Sequence, residues 1–116
     1  MTPIHGKYEW LTYKDTHKMA LNLAKGMELN DMASEVEYEG NNYRLIGIYG
    51  PNCPGWIITD LACILSDLTA STLYDTLGEG STRYIINQGE LKTIFTHSSH
   101  IQTLAHLKET GDCPTL

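Results

Sequence analysis

The stretch from Leu45 to Leu77 constrains the fold more than any other part of the chain, because short β-branched runs flank one strongly apolar segment. Arg44–Tyr49 is rich in isoleucine and is closed by Gly50-Pro51-Asn52, a pattern that predicts a buried strand followed by a tight turn. Residues 56–68 are apolar on nearly every side, which predicts a helix buried on all sides. Thr69–Tyr74 is again β-branched and apolar, and it is predicted to be the next strand.

Two strands joined by a single helix form a parallel pair with a right-handed crossover. Parallel strands need cover on both faces. The sequence therefore predicts an α/β fold in which this stretch lies at the centre of a parallel-sheet layer. The predicted helix is shorter than the roughly 20 residues that cross a lipid bilayer, so burial within protein explains its composition.

The segment before this stretch is predicted to contain a strand, a helix and a loop. Tyr8–Tyr13 alternates large apolar and polar residues, as a short strand does. Thr12 is placed to cap a helix from Tyr13 to about Glu28, since apolar residues recur there at three- and four-residue steps. Residues 29–43 carry several acidic residues, no Lys or Arg and no regular period, which predicts a solvated acidic loop.

The segment after this stretch is predicted to contain a helix, a strand and a second helix. Glu79–Asn87 forms the first helix with Gly89 as its C-terminal cap, and Lys92–Thr96 forms the strand. The final helix has the cap Ser98 or Ser99, the apolar stripe Ile101, Leu104, Ala105 and Lys108 (through its aliphatic stem), and the closing residue Gly111. Strands and helices thus alternate, with three parallel strands. The alternation is interrupted rather than completed, so we expect no complete domain within residues 1–116.

Charge and cysteine content exclude several classes of function. Eight Lys and Arg residues stand against 14 Asp and Glu residues, a formal net charge of −6, so bulk charge does not attract nucleic acid or anionic membranes. The three cysteines, Cys53, Cys63 and Cys113, are irregularly spaced and do not suggest a disulfide framework. The sequence also shows no signal peptide or glycosylation sequon, so we expect a reducing, cytosol-facing compartment.

The turn after the first central strand is a candidate phosphate site. Gly47, Gly50 and Gly55 surround this strand-to-helix turn, where a nucleotide phosphate can bind. Neither of the glycine-rich nucleotide motifs occurs in the sequence. Pro51 and Pro54 also remove amide donors that a phosphate needs. A structural turn is therefore favoured over a nucleotide site.

A metal site and a nucleophile are each weakly indicated. His97 and His100 are three residues apart, with Cys113 nearby in sequence, and such spacing on a helix can chelate a metal. The pair spans a predicted loop and no carboxylate joins it, so solvated histidines are favoured. Cys53 lies near a helix N-terminus, which can activate a thiol. No route connects it to His17, so an unreactive cysteine is favoured.

Asp75 and Thr76 are the best-placed polar pair in the chain, because they follow a predicted strand directly. In open α/β sheets, ligands bind at the carboxyl ends of the strands. The alternative is that Asp75 caps the turn before Gly78, and this structural role is slightly favoured.

Several short strings together carry a family resemblance. They are Tyr8-Glu-Trp-Leu-Thr-Tyr13, Gly47-Ile-Tyr-Gly-Pro-Asn-Cys-Pro-Gly-Trp-Ile-Ile58, Asp60-Leu-Ala-Cys63, Leu73-Tyr-Asp-Thr-Leu-Gly78 and Tyr84-Ile-Ile-Asn-Gln88. The chain resembles the N-terminal part of long-chain fatty acid–CoA ligases, which belong to the AMP-forming, adenylate-forming superfamily. The resemblance runs from about Lys7 to Leu116 and is weakest at residues 29–43. It departs from the family pattern at Gly55, where Glu is usual, and at Thr72, where Pro is usual.

The resemblance implies a fold and an activity for a longer protein. The chain would be an incomplete N-terminal part of an AMP-binding domain, a fragment of a ligase that forms acyl-CoA through an acyl-adenylate. The family uses ATP, Mg²⁺ and CoA. Its phosphate loop, ribose-binding aspartate, hinge and C-terminal lysine have no counterpart here, so no catalytic, cofactor-binding or metal residue is assigned. The family-motif residues without an assigned role are Asn52, Pro54, Trp56, Tyr74, Asp75, Thr76, Leu77 and Gly78.

The resemblance also implies partners and a location. The small-molecule substrates would bind through regions outside these 116 residues, and the remainder of the protein would be needed for folding. Peripheral association with endoplasmic-reticulum, peroxisomal or mitochondrial membranes is expected, with no nucleic-acid partner. Two other hypotheses stay open. One is a non-catalytic binding or scaffold module derived from this fold, and the other is an unrelated Rossmann-type nucleotide binder.

Overall fold

The computed structural model describes residues 2–116, which form a four-stranded mixed sheet with helices on both faces. The elements are α1 (Tyr13–Leu29), β1 (Ser34–Tyr38), β2 (Asn41–Tyr49), α2 (Pro54–Leu65), β3 (Thr69–Leu73), α3 (Glu79–Gln88), β4 (Ile94–Thr96), a 3₁₀ turn (Ser98–His100) and α4 (Ile101–Glu109). No helix within these described residues is long and apolar enough to cross a membrane.

Strand β2 is the centre of the sheet and pairs with all three other strands. Leu45 lies opposite both Ser34 of β1 and Thr69 of β3, so β1 and β3 occupy opposite edges of β2. Gly47 lies opposite Ile94 of β4 and also opposite β3, so β1 and β4 share one edge. β3 and β4 are both parallel to β2. The predicted α/β fold with three parallel strands is confirmed.

The prediction of an acidic loop at residues 29–43 is wrong, because most of this segment forms a hairpin. Ser34–Tyr38 pairs antiparallel with the first half of β2, which begins at Asn41 rather than at Arg44. Glu39 and Gly40 connect the strands with φ angles of 49° and 77°. Two-residue hairpin turns favour such positive φ angles because they match the strand twist. The glutamates that suggested a loop are consistent with an edge strand, where charges discourage further pairing.

Helices α1 and α2 cover one face of the sheet. The Thr12 cap is confirmed, since its hydroxyl oxygen accepts a hydrogen bond from the Asp15 amide at 3.0 Å and Asp15 bonds back to the Thr12 amide. The buried residues on this face are Ala20, Ala24, Met27, Ala33, Ile46, Ala62 and Cys63. Short alanine side chains let the two helices and β2 approach closely.

Helices α3 and α4 cover the other face. The predicted α3 is confirmed, with Gly89 at its C-terminal cap. The buried residues on this face are Tyr49, Leu73, Ile86, Leu91, Leu104, Leu107 and Cys113. Side chains of a strand alternate between the two faces of a sheet, so Ile46 and Tyr49 of β2 pack in the cores on opposite faces.

The prediction that α2 is buried on all sides is wrong. The helix ends at Leu65 instead of Leu68, and Ile57 and Ile64 are 52% and 67% exposed. A helix that is apolar all round needs a neighbour on every side, and the described residues supply only α1 and the sheet. Asp67 has a φ of 54° and the Leu68 amide donates to the Cys63 carbonyl at 2.8 Å, a left-handed ending that stops the helix.

The two ends of the chain also differ from prediction. Tyr8–Tyr13 forms no strand, because no other described strand pairs with it, and Trp10 is 89% exposed. At the other end, His97 rather than Ser98 or Ser99 caps the turn before α4, with its ring nitrogen accepting from the Ser99 amide. The stripe of α4 is correspondingly shifted, and its buried residues are Leu104 and Leu107.

Candidate functional site

The carboxyl ends of the three parallel strands meet at one edge of the sheet. Tyr49 ends β2 and lies opposite both Leu73, the last residue of β3, and Thr96, the last residue of β4. The chain from Gly50 to Cys53 leaves β2 at this point and leads into α2. Two clefts flank this connection, and they are the candidate functional site because ligands of open α/β sheets bind at this edge.

The first cleft, here called the Asp75 cleft, has a volume of about 350 Å³. It is lined by Gly50, Pro51, Asn52, Trp56, Thr72, Leu73, Tyr74, Asp75 and Thr76. It therefore brings together five of the motif residues singled out from the sequence, which come from both ends of the central stretch. The other three lie outside it: Pro54 begins α2, Leu77 packs in the core beneath α3, and Gly78 caps α3.

The second cleft lies between α2 and β4 and has a volume of about 280 Å³. It is lined by Ile48, Tyr49, Gly50, Pro51, Cys53, Gly55, Trp56, Thr59, Phe95, Thr96, His97 and Ser98. Trp56 lines both clefts, so a change at this side chain alters both.

Asp75 is held by a histidine from a distant part of the sequence. His100 Nε2 lies 2.6 Å from Asp75 Oδ1, and the His100 ring stacks on the Tyr49 ring at a centroid distance of 3.9 Å and an angle of 16°. The His100 side chain is only 13% exposed, so the prediction of a solvated histidine is wrong at this position. The turn predicted to be capped by Asp75 is instead closed by the Leu77 amide donating to the Tyr74 carbonyl at 3.0 Å.

Tyr49 connects the segments that form this edge. Its hydroxyl donates to the Leu77 carbonyl and accepts from the Thr82 hydroxyl, each at 3.4 Å. Its carbonyl oxygen accepts from the Thr96 hydroxyl at 2.9 Å and from the His97 amide at 3.1 Å. The residues after β3 and after β4 are therefore fixed to the last residue of β2.

The backbone amides at the start of α2 are partly paired within the chain. The amides of Trp56 and Ile57 donate to the Cys53 carbonyl at 3.1 and 3.4 Å, so they are already paired. Pro51 and Pro54 have no amide hydrogen to offer. These four residues therefore offer no free backbone donor to a phosphate at the start of α2.

The remaining candidates from the sequence do not come together. Cys113 is fully buried among the α4 leucines, whereas His97 is exposed and bonds to Ser99. Within residues 2–116, no group of three or more His, Cys, Asp or Glu residues is arranged to hold a metal ion. Burial, with a smaller contribution from Asp60, raises the pKa of the Cys63 thiol to about 11. Cys63 is therefore an uncharged core residue at neutral pH.

The fold and this edge together define the class of protein. A mostly parallel sheet covered on both faces, with polar and aromatic side chains gathered at its carboxyl edge, is typical of α/β domains that bind small molecules. The model of the AMP-binding enzyme family matches residues 2–116, and the chain therefore belongs to this family.

Curated relatives are acyl-CoA ligases that are much longer than this chain. Long-chain-fatty-acid–CoA ligase 6 of Rattus norvegicus is 38% identical over 103 residues, which cover 87% of this chain and 14% of that protein. The probable CoA ligase CCL6 of Humulus lupulus is 36% identical over 99 residues, 85% of this chain and 14% of that protein. The chain thus spans about one seventh of their length. These relatives confirm the resemblance to long-chain fatty acid–CoA ligases.

A solved structure shows the same fold at low sequence identity. The crystal structure of the anthranilate CoA ligase AuaEII in complex with anthranoyl-AMP superposes with a TM-score of 0.76 at 12% identity. The match covers 91% of this chain and 19% of that enzyme. The α/β layer described here is accordingly the fold of part of an adenylate-forming CoA ligase.

Proposed function

We propose that this chain supplies the N-terminal part of an AMP-forming ligase that converts long-chain fatty acids to acyl-CoA. The observation that carries the proposal is the 38% identity to a named long-chain-fatty-acid–CoA ligase over 87% of the chain. The string Leu73-Tyr-Asp-Thr-Leu-Gly78, which is typical of the long-chain enzymes, supports it.

The proposed reaction has two steps. A fatty-acid carboxylate attacks the α-phosphorus of ATP and releases pyrophosphate, which gives an acyl-adenylate. The sulfur of CoA then attacks the acyl carbon and releases AMP. Adenylation is needed because a carboxylate is a poor electrophile, and Mg²⁺ stabilises the phosphate charge.

The described residues do not fit ATP or Mg²⁺ by themselves. In the turn before α2, Pro51 and Pro54 have no amide hydrogen and the Trp56 and Ile57 amides are already paired, and no carboxylate cluster suits a metal ion within residues 2–116. In this proposal ATP, Mg²⁺ and CoA bind to other parts of the longer protein, and this chain provides scaffold at the carboxyl edge. We expect the isolated chain to have no ligase activity.

The proposal extends to location and partners. The acyl-CoA ligase 891 of Penicillium brevicompactum, 37% identical over 105 residues, is named as peroxisomal. We infer a cytosol-facing protein that associates peripherally with an organelle membrane, with small molecules as its partners. The net charge of −6 disfavours nucleic acid.

The native mass and activity of the protein test this proposal together. An antibody against the peptide 29–43 is used to blot and to precipitate the protein from its source cells. We expect a band several times heavier than 13.0 kDa and a precipitate that forms acyl-CoA and AMP from palmitate, ATP, Mg²⁺ and CoA. A band at 13.0 kDa, with no acyl-CoA formed, would contradict the ligase proposal.

A second candidate is a non-catalytic binding or scaffold module of the same fold. The uncovered side of α2, where Ile57, Ile64 and Leu65 are exposed, favours it, because exposed apolar residues on one helix are typical of an interaction surface. This candidate predicts a native 13.0 kDa species that unfolds cooperatively on its own, whereas the ligase proposal predicts a heavier protein.

A further inference from the structure

Asp75 is the acidic group that lines the Asp75 cleft, and His100 contacts it. Among the described residues that line it, Asp75 is the only one with a charged side chain. The others are apolar, aromatic or neutral polar, including Trp56, Tyr74 and the amide of Asn52. A small molecule in this cleft therefore meets one carboxylate and two aromatic rings.

The Asp75 carboxylate is oriented by one of its two oxygens. Oδ1 lies 2.6 Å from His100 Nε2, and in a hydrogen bond to an ionised carboxylate this nitrogen is the donor, because an ionised carboxylate only accepts. Oδ2 has no hydrogen-bond partner among residues 2–116, and the Asp75 side chain is 44% exposed. One acceptor oxygen thus stays available to a molecule in the cleft.

Buried groups hold the Asp75 carboxylate and the His100 ring in this orientation. The His100 ring cannot slide freely because it stacks on Tyr49, which is itself buried and hydrogen-bonded through its hydroxyl. The Leu77–Tyr74 backbone hydrogen bond also holds the turn that carries Asp75. A preoriented acceptor binds a donor more tightly than a mobile one, because less side-chain entropy is lost on binding.

We propose that the Asp75 cleft binds an ammonium- or hydroxyl-bearing group, with Asp75 as the acceptor and His100 as the residue that positions it. A carboxylate attracts ammonium and hydroxyl donors and repels phosphate and carboxylate groups. Trp56 and Tyr74 also line the cleft, and an aromatic ring attracts a cation that lies over its face. The inference rests on the cleft alone and stands independently of the ligase activity.

Ethanolamine, which carries both an ammonium and a hydroxyl group, is the probe for the first part of the proposal. The native full-length protein, isotope-labelled at the aspartate carboxyl carbons and at the tyrosine and threonine amides, is titrated with ethanolamine and, separately, with inorganic phosphate at neutral pH. We expect ethanolamine to cause saturable NMR shifts at the Asp75 carboxyl carbon and at the Tyr74 and Thr76 amides. Phosphate should leave these signals unchanged, and Asp75→Asn should abolish the response. An equal response to phosphate, or none to ethanolamine, overturns the proposed ligand class.

Two variants at position 100 distinguish the hydrogen bond of His100 to Asp75 from the packing of its ring on Tyr49. His100→Gln keeps an N–H donor but lacks the ring, whereas His100→Phe keeps the ring on Tyr49 but lacks the donor. If His100 positions Asp75 through its hydrogen bond, His100→Phe weakens ethanolamine binding roughly two- to tenfold, and His100→Gln weakens it less because the donor remains although the stacking is lost. Three-bond couplings across the Asp75 Cα–Cβ bond should then show one rotamer in the wild type, and more rotamer averaging in His100→Phe than in His100→Gln. A purely structural stacking role predicts the opposite ranking and overturns the positioning role.

Discussion

The hydroxyl of Thr82 lies 3.4 Å from the hydroxyl of Tyr49, and both residues are almost completely buried. The Tyr49 hydroxyl in turn donates to the Leu77 carbonyl. This chain of hydrogen bonds joins the start of α3 to the end of β2 beneath the carboxyl edge. It satisfies polar groups that would otherwise be desolvated without a partner.

Tyr49→Phe should destabilise the chain by about 1 kcal/mol, because the Thr82 hydroxyl and the Leu77 carbonyl both lose a buried partner. Equilibrium urea unfolding measures this change. Tyr38→Phe is the matched control. Tyr38 is exposed on the edge strand, so removing its hydroxyl breaks no buried hydrogen bond. Equal effects of the two substitutions would show that the buried hydrogen bonds contribute nothing specific.

Gly47→Ala should destabilise the sheet by about 1–3 kcal/mol, because the new Cβ atom would lie 2.8 Å from Ile94 Cγ1 and 3.3 Å from the Thr93 carbonyl oxygen. The strand β4 would have to move away from β2. The matched control is Gly80→Ala, where α3 leaves open space around the added atom. That substitution should be neutral or stabilising by up to about 1 kcal/mol, since alanine favours a helix. Urea unfolding measures the change in the free energy of unfolding for both variants. No change in Gly47→Ala would mean that β4 is not packed tightly against β2.

The central elements were predictable because their sequence signals are local. Isoleucine in Arg44–Tyr49 and the cap at Thr12 act within a few residues, and both the strand and the cap are present, although β2 begins earlier, at Asn41. The family could likewise be recognised from contiguous strings such as the one around Asp75.

The errors arose where the structure depends on a distant neighbour. The β1 strand exists because Val36 pairs with Tyr43 across a turn, while its glutamates suggest a solvated loop. Tyr8–Tyr13 alternates like a strand but has no described partner. The contact between Asp75 and His100 spans 25 residues, and nothing near either residue in sequence indicates the other.

Cys63 should make the chain less stable at alkaline pH. Burial raises the pKa of this thiol from 9.0 to about 11, so above pH 9 the unfolded chain ionises first and the folded state is disfavoured. The stability present below pH 9 should fall by about 2 kcal/mol by pH 11 through this group. Urea unfolding across this pH range should show that the free energy of unfolding falls in the wild type and in Cys53→Ala. In Cys63→Ala the free energy of unfolding should depend less on pH. If Cys63→Ala follows the wild-type profile, other groups cause the alkaline loss.

The exposed side of α2 should make the isolated chain self-associate. Ile57, Ile64 and Leu65 lie on a helix that is apolar all round, and the described residues leave them uncovered. Replacing them with Gln, Glu and Lys respectively should shift the sedimentation profile from oligomers to monomer, because the apolar patch is removed. Secondary structure by circular dichroism should be unchanged, since none of the three packs in the core.

The control for this triple variant replaces three exposed apolar residues elsewhere, Ile4, Leu29 and Ile101, each with Gln. These residues lie at separate places in the chain, so their removal should leave the oligomers of the wild type in place. If both triple variants become monomeric to the same extent, total apolar exposure rather than the α2 surface drives association. If only the α2 variant does, the exposed side of α2 is the surface that drives association, because an apolar helix side is stable only against another packed layer.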